Sequence, residues 1–497
     1  MLDLYTPFQD EMRKLSLLPS LYELWRYHQG TTTSGILKLS GPPGFLQIEM
    51  YAWELDILSR EVLLNAGSQG SNSLRTFPGI MRAVNHIRRI NEGLSEREIH
   101  SGDDALRAMH PHVHQQIRWQ HTRDEARIFR TFRIFGYPAL ERVFVDVTGV
   151  PVRALFFMGL AIRGALNKDL RFNANQEFTE FGIENEVRDA FFRLVSASDE
   201  AIRDQLRQVQ KYDSRWAYTW NPLESKPFIF MTGDDPSHLW CPLPTMLFRR
   251  ITEGLFYDLL KHPSYSKPYG DAFEAYVGEV LREIFLANKY IIAGEEPYKS
   301  KQGIRHGTDW IVSDATANIF IECKTKRMKH DAKTVGEGEV LEAELKDLAK
   351  AIAQLYANID DALAGRSQWI PNDLPAYPFI ITYEDWYLFT PQVVGSLKDL
   401  VVAQLRKKGL PVTLLDSMPY FITSISEFEV AAQAIAHIGI GRYCSKCSTT
   451  AYRHFRLSDC AHEEFPEENT HYRRLFGDSW AEMFPSIKHL LDLPPAT

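Results

Sequence analysis

Cysteine is scarce in this chain, and long apolar runs are missing from it. Only 5 of its 497 residues are cysteines, an odd number scattered along the sequence, which argues for a reducing compartment. The most apolar run, 154–162, lies between Arg153 and Arg163 and is too short to cross a bilayer. Residues 1–6 lack the basic start and apolar stretch of a secretory signal. We therefore expect a cytoplasmic protein with no membrane partner.

An excess of positive charge is also missing. The formal net charge is −8, which by itself does not indicate a nucleic-acid-binding protein. The charge is unevenly distributed, however, because residues 299–333 hold eight basic side chains against four acidic ones. The basic side chains are Lys299, Lys301, Arg305, Lys324, Lys326, Arg327, Lys329 and Lys333. A solvated loop has a similar composition, so the segment becomes a candidate nucleic-acid contact only through its position beside an acidic cluster.

That acidic cluster, with one lysine, is the most informative pattern in the chain. Asp309 precedes the run 310–312, and Glu322 and Lys324 end the run 319–324; both runs are predicted strands. Because side chains alternate along a strand, Glu322 and Lys324 project from one face, which carries the chemistry, while the intervening residues project into the core. A hairpin between the two strands would bring both carboxylates together.

Phosphodiester hydrolysis explains why these residue types are useful together. Converging carboxylates supply the oxygen ligands that Mg²⁺ or Mn²⁺ prefers, and they leave coordination positions open for water and a phosphate oxygen. An adjacent ammonium group orients that water or offsets the negative charge that develops on the phosphate. We therefore assign Asp309 and Glu322 as metal ligands and Lys324 as the catalytic cation.

The triplet Glu322-Cys323-Lys324, preceded by Asp309, resembles the motif of the PD-(D/E)XK nuclease superfamily, which includes many restriction enzymes and junction resolvases. Thr308 stands where many members have proline. The resemblance implies a restriction-endonuclease-like α/β core of helix, three-strand meander, helix and strand. Segments with the required periodicity follow in that order. They are 271–287, 290–293, 309–312, 319–322, 338–365 and 377–383.

The resemblance also nominates residues outside the triplet. Members of the superfamily often carry another acid after a phenylalanine on the first helix, which matches Phe273-Glu274 and adds Glu274 to the catalytic and metal-binding candidates. In some branches a glutamine on the second helix lines the site, which nominates Gln354. Positive side chains beside the site, where flanking phosphates would lie, complete the candidate nucleic-acid contacts. They are Arg305, Lys326, Arg327 and Lys329.

A proline-rich stretch at 219–245 predicts a domain boundary. We expect a mostly helical N-terminal domain at 1–225 that senses, binds substrate or regulates. A nuclease domain would follow at 226–395, and a C-terminal α/β extension at 396–497 would pack on it. The predicted fold class is therefore multidomain α+β.

Two further patterns leave alternatives open. Arg123, Arg127, Arg130 and Arg133 follow one side of a predicted helix, where they either bind phosphates, a partner or a nucleotide, or form an ordinary wet face. A second set has the residue types of a structural Zn²⁺ site, although its tight second pair favours ordinary thiols. It consists of Cys444, Cys447, Cys460 and His462.

Together these patterns predict a Mg²⁺-dependent endonuclease that acts on nucleic acid, with DNA favoured over RNA. By analogy, a large accessory region before a nuclease is typical of restriction or antiviral defence proteins. Alternatives are an RNA endonuclease of the same fold, which cuts for example transfer RNA, and a non-catalytic nucleic-acid-binding or sensing protein. A homo-oligomer or a partner subunit is compatible with all of them.

Overall fold

In the computed structural model the chain forms two compact units, Met1–Tyr265 with Ala481–Thr497, and Ser266–Trp480. The structure describes residues 1–41, 47–120, 125–300, 303–452, 455–468, 472–477 and 483. Both units combine helices with small sheets, which confirms the expected mixed α+β class.

The first unit is mostly helical. Its α-helices are α1 (Leu2–Arg13), α2 (Leu17–Gln29), α3 (Ala52–Asn65), α4 (Phe77–Glu98), α5 (Gly102–Gln116), α6 (Glu125–Phe135), α7 (Pro138–Thr148), α8 (Val152–Ala165), α9 (Asn185–Val195), α10 (Asp199–Val209), α11 (Pro244–Arg250) and α12 (Leu255–Leu259). Its strands are β1 (Ile36–Leu39), β2 (Ile48–Tyr51), β3 (Arg171–Asn173), β4 (Ser196–Ser198), β5 (Phe228–Phe230) and β6 (His238–Trp240).

Strand pairing places the end of the first unit later than the expected residue 225. β1 pairs with β2, and a second sheet has the order β3-β6-β5-β4. Since β5 and β6 pair with strands from earlier in the chain, they extend this unit through the proline-rich stretch to Tyr265. Isolated prolines mark turns here rather than a linker, because the segments between them are buried strands and a buried helix.

The second unit contains the predicted motif. Its helices are α13 (Ser266–Ile284), α14 (His330–Lys333), α15 (Glu339–Leu363), α16 (Pro391–Lys407), α17 (Leu414–Ser417), α18 (Ile425–Ile438), α19 (Ile440–Cys447) and α20 (Leu457–Glu464). Its strands are β7 (Ile291–Gly294), β8 (Tyr298–Ser300), β9 (Gly303–Arg305), β10 (Trp310–Ser313), β11 (Asn318–Lys324), β12 (Ala376–Thr382) and β13 (Phe421–Ser424).

Five of these strands form one mixed sheet in the order β13-β12-β11-β10-β7. β7, β10 and β11 pair antiparallel as a meander, whereas β11, β12 and β13 pair parallel. A small separate hairpin, β8–β9, lies between β7 and β10 in the chain. The helix α15 connects β11 to β12, as a parallel pair requires a long crossover.

The sheet is buried on both faces. Ile311, Phe320 and Ile380 pack with the apolar side of α15 in one core cluster. On the opposite face α13 approaches Trp310 closely, because a Cβ at Gly278 would lie 2.3 Å from the indole. The expectation that one whole face of β11 carries chemistry is therefore wrong: Phe320 shares the face of Glu322 and is fully buried. Only the last residues of the strand are partly open.

The segment 396–480 belongs to the same compact unit as the predicted nuclease domain. β13 adds a parallel strand beside β12, and α16 packs along α15. The expected division at 395 therefore does not separate compact units, since the sheet itself runs across it. Pairing between distant strands is a property that local sequence patterns do not report.

In the described part of the chain, no single helix combines the length and hydropathy needed to cross a membrane. Taken together, α7 and α8 have the required length and hydropathy, but the chain bends by 67° at the break between them.

Candidate active site

The end of the β10–β11 pair brings the predicted acids together. The ladder ends with Trp310 opposite Ile321, so Asp309 and Glu322 are the next residues along the two strands. Beyond that point the backbone N–H of Cys323 donates to the Asp309 Oδ2 at 2.5 Å. The Asp309 carboxylate therefore takes the place of a backbone carbonyl where the strands separate, and its position is set by the strand pairing.

Lys324 completes the arrangement at the end of β11. Its Nζ donates to the Glu322 Oε1 at 2.5 Å. Glu322 is 7 % exposed, whereas the Lys324 side chain is 37 % exposed. The strand β12 pairs with β11 up to Lys324, and the Tyr383 N–H donates to the Lys324 carbonyl. The Glu322 carboxylate is thus buried beneath Lys324, whereas the Lys324 side chain is partly accessible to a ligand.

The electrostatics of the cluster favour the binding of a cation. Burial and, to a smaller extent, the Glu322 carboxylate raise the pKa of Asp309 to about 8. The hydrogen bond from the Cys323 N–H and the charge of Lys324 act in the opposite direction. Burial acts to lower the pKa of Lys324, but the Glu322 and Asp309 carboxylates outweigh it, so that pKa is raised. Two carboxylates and one ammonium leave a net negative charge when all are ionised. A further positive charge beside Asp309 would lower its pKa and favour the ionised carboxylate.

Glu274 lies on α13, within electrostatic reach of the pair. Burial, and then the Glu295, Asp271 and Glu322 carboxylates, raise its pKa. Its backbone carbonyl accepts from the Trp310 Nε1 at 3.1 Å, which ties this turn of the helix to the start of β10. Across the described residues no three acidic, cysteine or histidine side chains already surround a common point. Glu274 is therefore linked to the Asp309–Glu322 pair by electrostatic interaction and through the contact of its backbone with Trp310.

The donor set fits a hard divalent cation. Asp309 and Glu322 are oxygen donors that follow directly on the last paired residues of two strands, and burial together with the Glu322 carboxylate raises the pKa of Asp309 to about 8. Mg²⁺ or Mn²⁺ bound by one or two carboxylates keeps further positions for water and phosphate. No histidine or cysteine side chain is needed for such a site.

The predicted nucleic-acid contacts divide into accessible and buried groups. Lys329 is 77 % exposed, and its Nζ lies 3.5 Å from Glu344. Lys326 is partly exposed and pairs with Asp347 and Glu344. Gln354 lies on α15, where its Oε1 accepts from Lys408 at 2.7 Å. All three are at least partly exposed near the site, and each already has a polar partner in the same unit.

Arg327 and Arg305 have structural partners instead. Arg327 is 7 % exposed, lies over the Tyr383 ring at 4.3 Å and donates to the Tyr269 hydroxyl. Its assignment as a phosphate contact is corrected for that reason: a residue enclosed by two tyrosines is part of the core. Arg305 pairs with Asp361 at 2.7 Å on the β8–β9 hairpin, which anchors that hairpin to α15.

A pocket of about 620 Å³ opens directly beside Glu322 and Lys324. Besides those two residues it is lined by Lys326, Asp347, Leu348, Lys350, Ala351, Gln354, Thr382, Trp386, Gln404, Lys407 and Lys408. The contribution of α16 was missed by the sequence analysis. Its signal, the basic run 406–408, is present in the sequence but lies far from the motif along the chain.

The candidate zinc residues are only partly brought together. Cys444, Cys447 and Cys460 are buried on α19 and α20 as free thiols. His462, two residues after Cys460 on the same helix, is exposed. Residues two apart on a helix point in different directions, so His462 does not share a face with Cys460.

The arginine row of the first unit is not one uniform surface. Arg123 lies outside the described residues. Arg130 is 6 % exposed, and Arg127 pairs with Glu253 at 2.5 Å. Arg133 lies over the Phe129 ring at 5.8 Å. At least two members of the row are therefore engaged within their own unit.

Comparison of the chain with models of protein families, with curated proteins and with solved structures gives no match.

Proposed function

We propose that the second unit hydrolyses phosphodiester bonds of nucleic acid with the help of a divalent metal ion. The observation that carries the proposal is the position of Asp309 beside Glu322 and Lys324, at the open end of two paired strands. This is the residue set that metal-assisted phosphodiester hydrolysis uses: oxygen ligands for the ion and a cation for the phosphate.

The order of elements around the site supports the same proposal. The helix α13 precedes the β7–β10–β11 meander, α15 follows it, and β12 returns parallel to β11. That order is the one implied by the resemblance to PD-(D/E)XK nucleases. The motif and the topology are separate observations, because a chance Glu-x-Lys triplet carries no constraint on strand order.

Each residue has a distinct task in this mechanism. Asp309 and Glu322 would hold the Mg²⁺ or Mn²⁺ ion, which when bound supplies an activated water and neutralises phosphate charge. The Cys323 N–H fixes the Asp309 carboxylate, so little reorganisation is needed on binding. Lys324, held by Glu322 and partly exposed, stabilises the negative charge that develops on the scissile phosphate. Glu274 assists from α13, directly or through water.

DNA is the favoured substrate, as the resemblance implies, and RNA is the alternative. Attack by an activated water does not use the 2′-hydroxyl, so both polymers suit this chemistry. The decisive experiment is incubation of the purified chain with labelled DNA, RNA and transfer RNA, with Mg²⁺, with Mn²⁺ and with chelator. We expect cleavage only with the metal ion.

Three variants test the residue assignments in that assay: Asp309→Ala, Glu322→Ala and Lys324→Ala. Each should stay folded and lose at least about 100-fold in cleavage rate. The matched control is Asp331→Ala, which removes an exposed carboxylate of the same unit. Undiminished cleavage by all three variants would refute the assignment. Metal-dependent binding without any cleavage by the wild type would instead favour a non-catalytic nucleic-acid-binding protein.

A further inference from the structure

The pocket beside Glu322 and Lys324 carries more positive than negative side chains, although Lys324, Lys326 and Lys350 are paired with its acids. Five lysines line it, against the two acids Glu322 and Asp347. The lysines are Lys324, Lys326, Lys350, Lys407 and Lys408. Lys407 and Lys408 come from the C-terminal end of α16, so the positive charge extends from the site across α15 to a second helix. A surface of this kind follows a phosphate backbone away from the site of chemistry.

The pocket is also more than a charged surface. Its lining includes the apolar residues Leu348 and Ala351 from α15, together with Trp386. Trp386 is 3 % exposed, and its Nε1–H has no hydrogen-bond partner among the described residues. Gln354 and Gln404 add amide groups to the wall. Apolar residues and amide groups in one lining suit a flat heteroaromatic ring with polar edges.

The volume matches a small organic group. Pockets for such ligands usually measure roughly 300–1,000 Å³, and the 620 Å³ here falls within that range. A duplex presents phosphates and sugars on its outside and keeps its bases stacked inside. A base therefore enters a concave pocket only from an unpaired strand or after it leaves the stack. A groove that binds only duplex would need the lysines but not the apolar residues of the lining.

We propose that this pocket binds one unstacked nucleotide of a single-stranded nucleic acid, next to the scissile phosphate. The inference rests on the proposed function and narrows its substrate class to single strands, unpaired ends or loops. Lys407 and Lys408 hold the phosphates that follow the bound nucleotide, and Leu348, Ala351 and Trp386 contact its base. A basic surface with an apolar platform is the usual means of binding single strands.

Equilibrium binding of labelled oligonucleotides tests the inference. The protein carries Asp309→Asn to prevent cleavage, and fluorescence anisotropy compares a single strand with its own duplex. We expect the single strand to bind at least about tenfold more tightly. Equal or tighter binding of the duplex would overturn the inference.

Two variants then locate the binding. The double variant Lys407→Ala/Lys408→Ala should weaken single-strand binding about tenfold and lower the slope of log Kd against log salt by about 0.7 per lysine. Ala351→Leu adds volume to the pocket lining without a change of charge. It should weaken binding of the single strand and leave binding of the duplex unaffected. The matched control Lys346→Ala/Lys398→Ala removes exposed lysines of α15 and α16 that do not line the pocket. If this control weakens single-strand binding as much as Lys407→Ala/Lys408→Ala does, the pocket is not the binding site.

Cleavage by the wild type separates this inference from the proposed function. If the lysine and Ala351 variants cleave duplex and single strand as fast as the wild type does, the pocket assignment is overturned. The proposed nuclease function would then still hold. Absence of cleavage of any polymer would refute the nuclease, and a single-strand preference that depends on Lys407 and Lys408 would still support the pocket. Thermal unfolding of each variant checks that its fold is retained.

Discussion

The carboxylate of Asp309 accepts the backbone N–H of Cys323 at 2.5 Å, at the point where β10 and β11 stop pairing. A side chain thus satisfies a strand N–H that would otherwise lack a partner, and the same contact holds one proposed metal ligand beside the other. A structural role and the proposed metal-binding role thus belong to one carboxylate. Its protonation should therefore affect both the proposed metal binding and stability.

Metal affinity should rise with pH. The proposed ion requires ionised carboxylates, and the pKa of Asp309 is raised to about 8. Calorimetric titration with Mn²⁺ should show affinity that increases by up to about tenfold per pH unit below pH 8, with release of a proton. Above pH 8 the affinity should level off. Affinity that is constant from pH 6 to 8 would contradict the role of Asp309.

Without metal, the stability of the second unit should fall as pH rises from about 4 to 8. Folded Asp309 keeps its proton up to about pH 8, whereas an unfolded aspartate loses it near pH 4. The native state thus binds the extra proton in this window, and the free energy of unfolding decreases by at most about 1.4 kcal/mol per pH unit. Urea unfolding at pH 5, 6, 7 and 8 measures this dependence.

Asp309→Asn is the control for that measurement. The amide oxygen still accepts the Cys323 N–H, but it does not titrate. The variant should be less sensitive to pH than the wild type in the same window. Equal slopes for the two proteins would show that another group causes the pH dependence.

Loss of the Lys324 ammonium should slow the reaction more than it weakens substrate binding. Lys324→Met keeps a long unbranched side chain without the charge and should lower kcat roughly 10²–10³-fold, with a smaller change in KM. Lys324→Arg keeps a positive charge and should recover part of the rate. Lys333→Met is the matched control, since it removes an ion-paired lysine of α14. A large rise in KM with unchanged kcat would indicate a binding role.

Gly278→Ala should destabilise the second unit. The new Cβ would lie 2.3 Å from the Trp310 indole, so α13 or β10 must shift at a cost of about 1–3 kcal/mol. Trp310 adjoins Asp309, and the shift should also slow cleavage. Gly270→Ala on the same helix has nothing within 4 Å of its Cβ and should be neutral or slightly stabilising. Thermal unfolding of the two variants compares them directly.

Arg327 and Lys329 should respond differently to truncation. Arg327→Ala removes packing against Tyr383 and a hydrogen bond to Tyr269, and should cost about 2–4 kcal/mol of stability. Lys329→Ala should leave stability unchanged but lower the salt dependence of nucleic-acid binding, because that side chain is 77 % exposed. The opposite pattern would restore Arg327 as a phosphate contact.

Local patterns were sufficient to place the elements of the site. The alternation along 319–324 placed Glu322 and Lys324 on one face of a strand, and the apolar spacing on α13 and α15 predicted both helices. These features depend on residues within a few positions of each other, because the repeat of a strand or a helix decides which side chains share a face. The short connection between the two predicted strands indicated a hairpin, and β10 and β11 do pair antiparallel.

The tertiary structure alone decided which charges are available and how far the unit extends. Arg327 and Lys329 are two residues apart in one basic run, yet the tyrosines of α13 and the segment after β12 enclose only the first. Lys407 and Lys408 reach the pocket only because α16 packs along α15, and β13 joins the sheet from outside the expected domain. Burial and long-range pairing depend on residues far apart in the chain, so no local pattern specifies them.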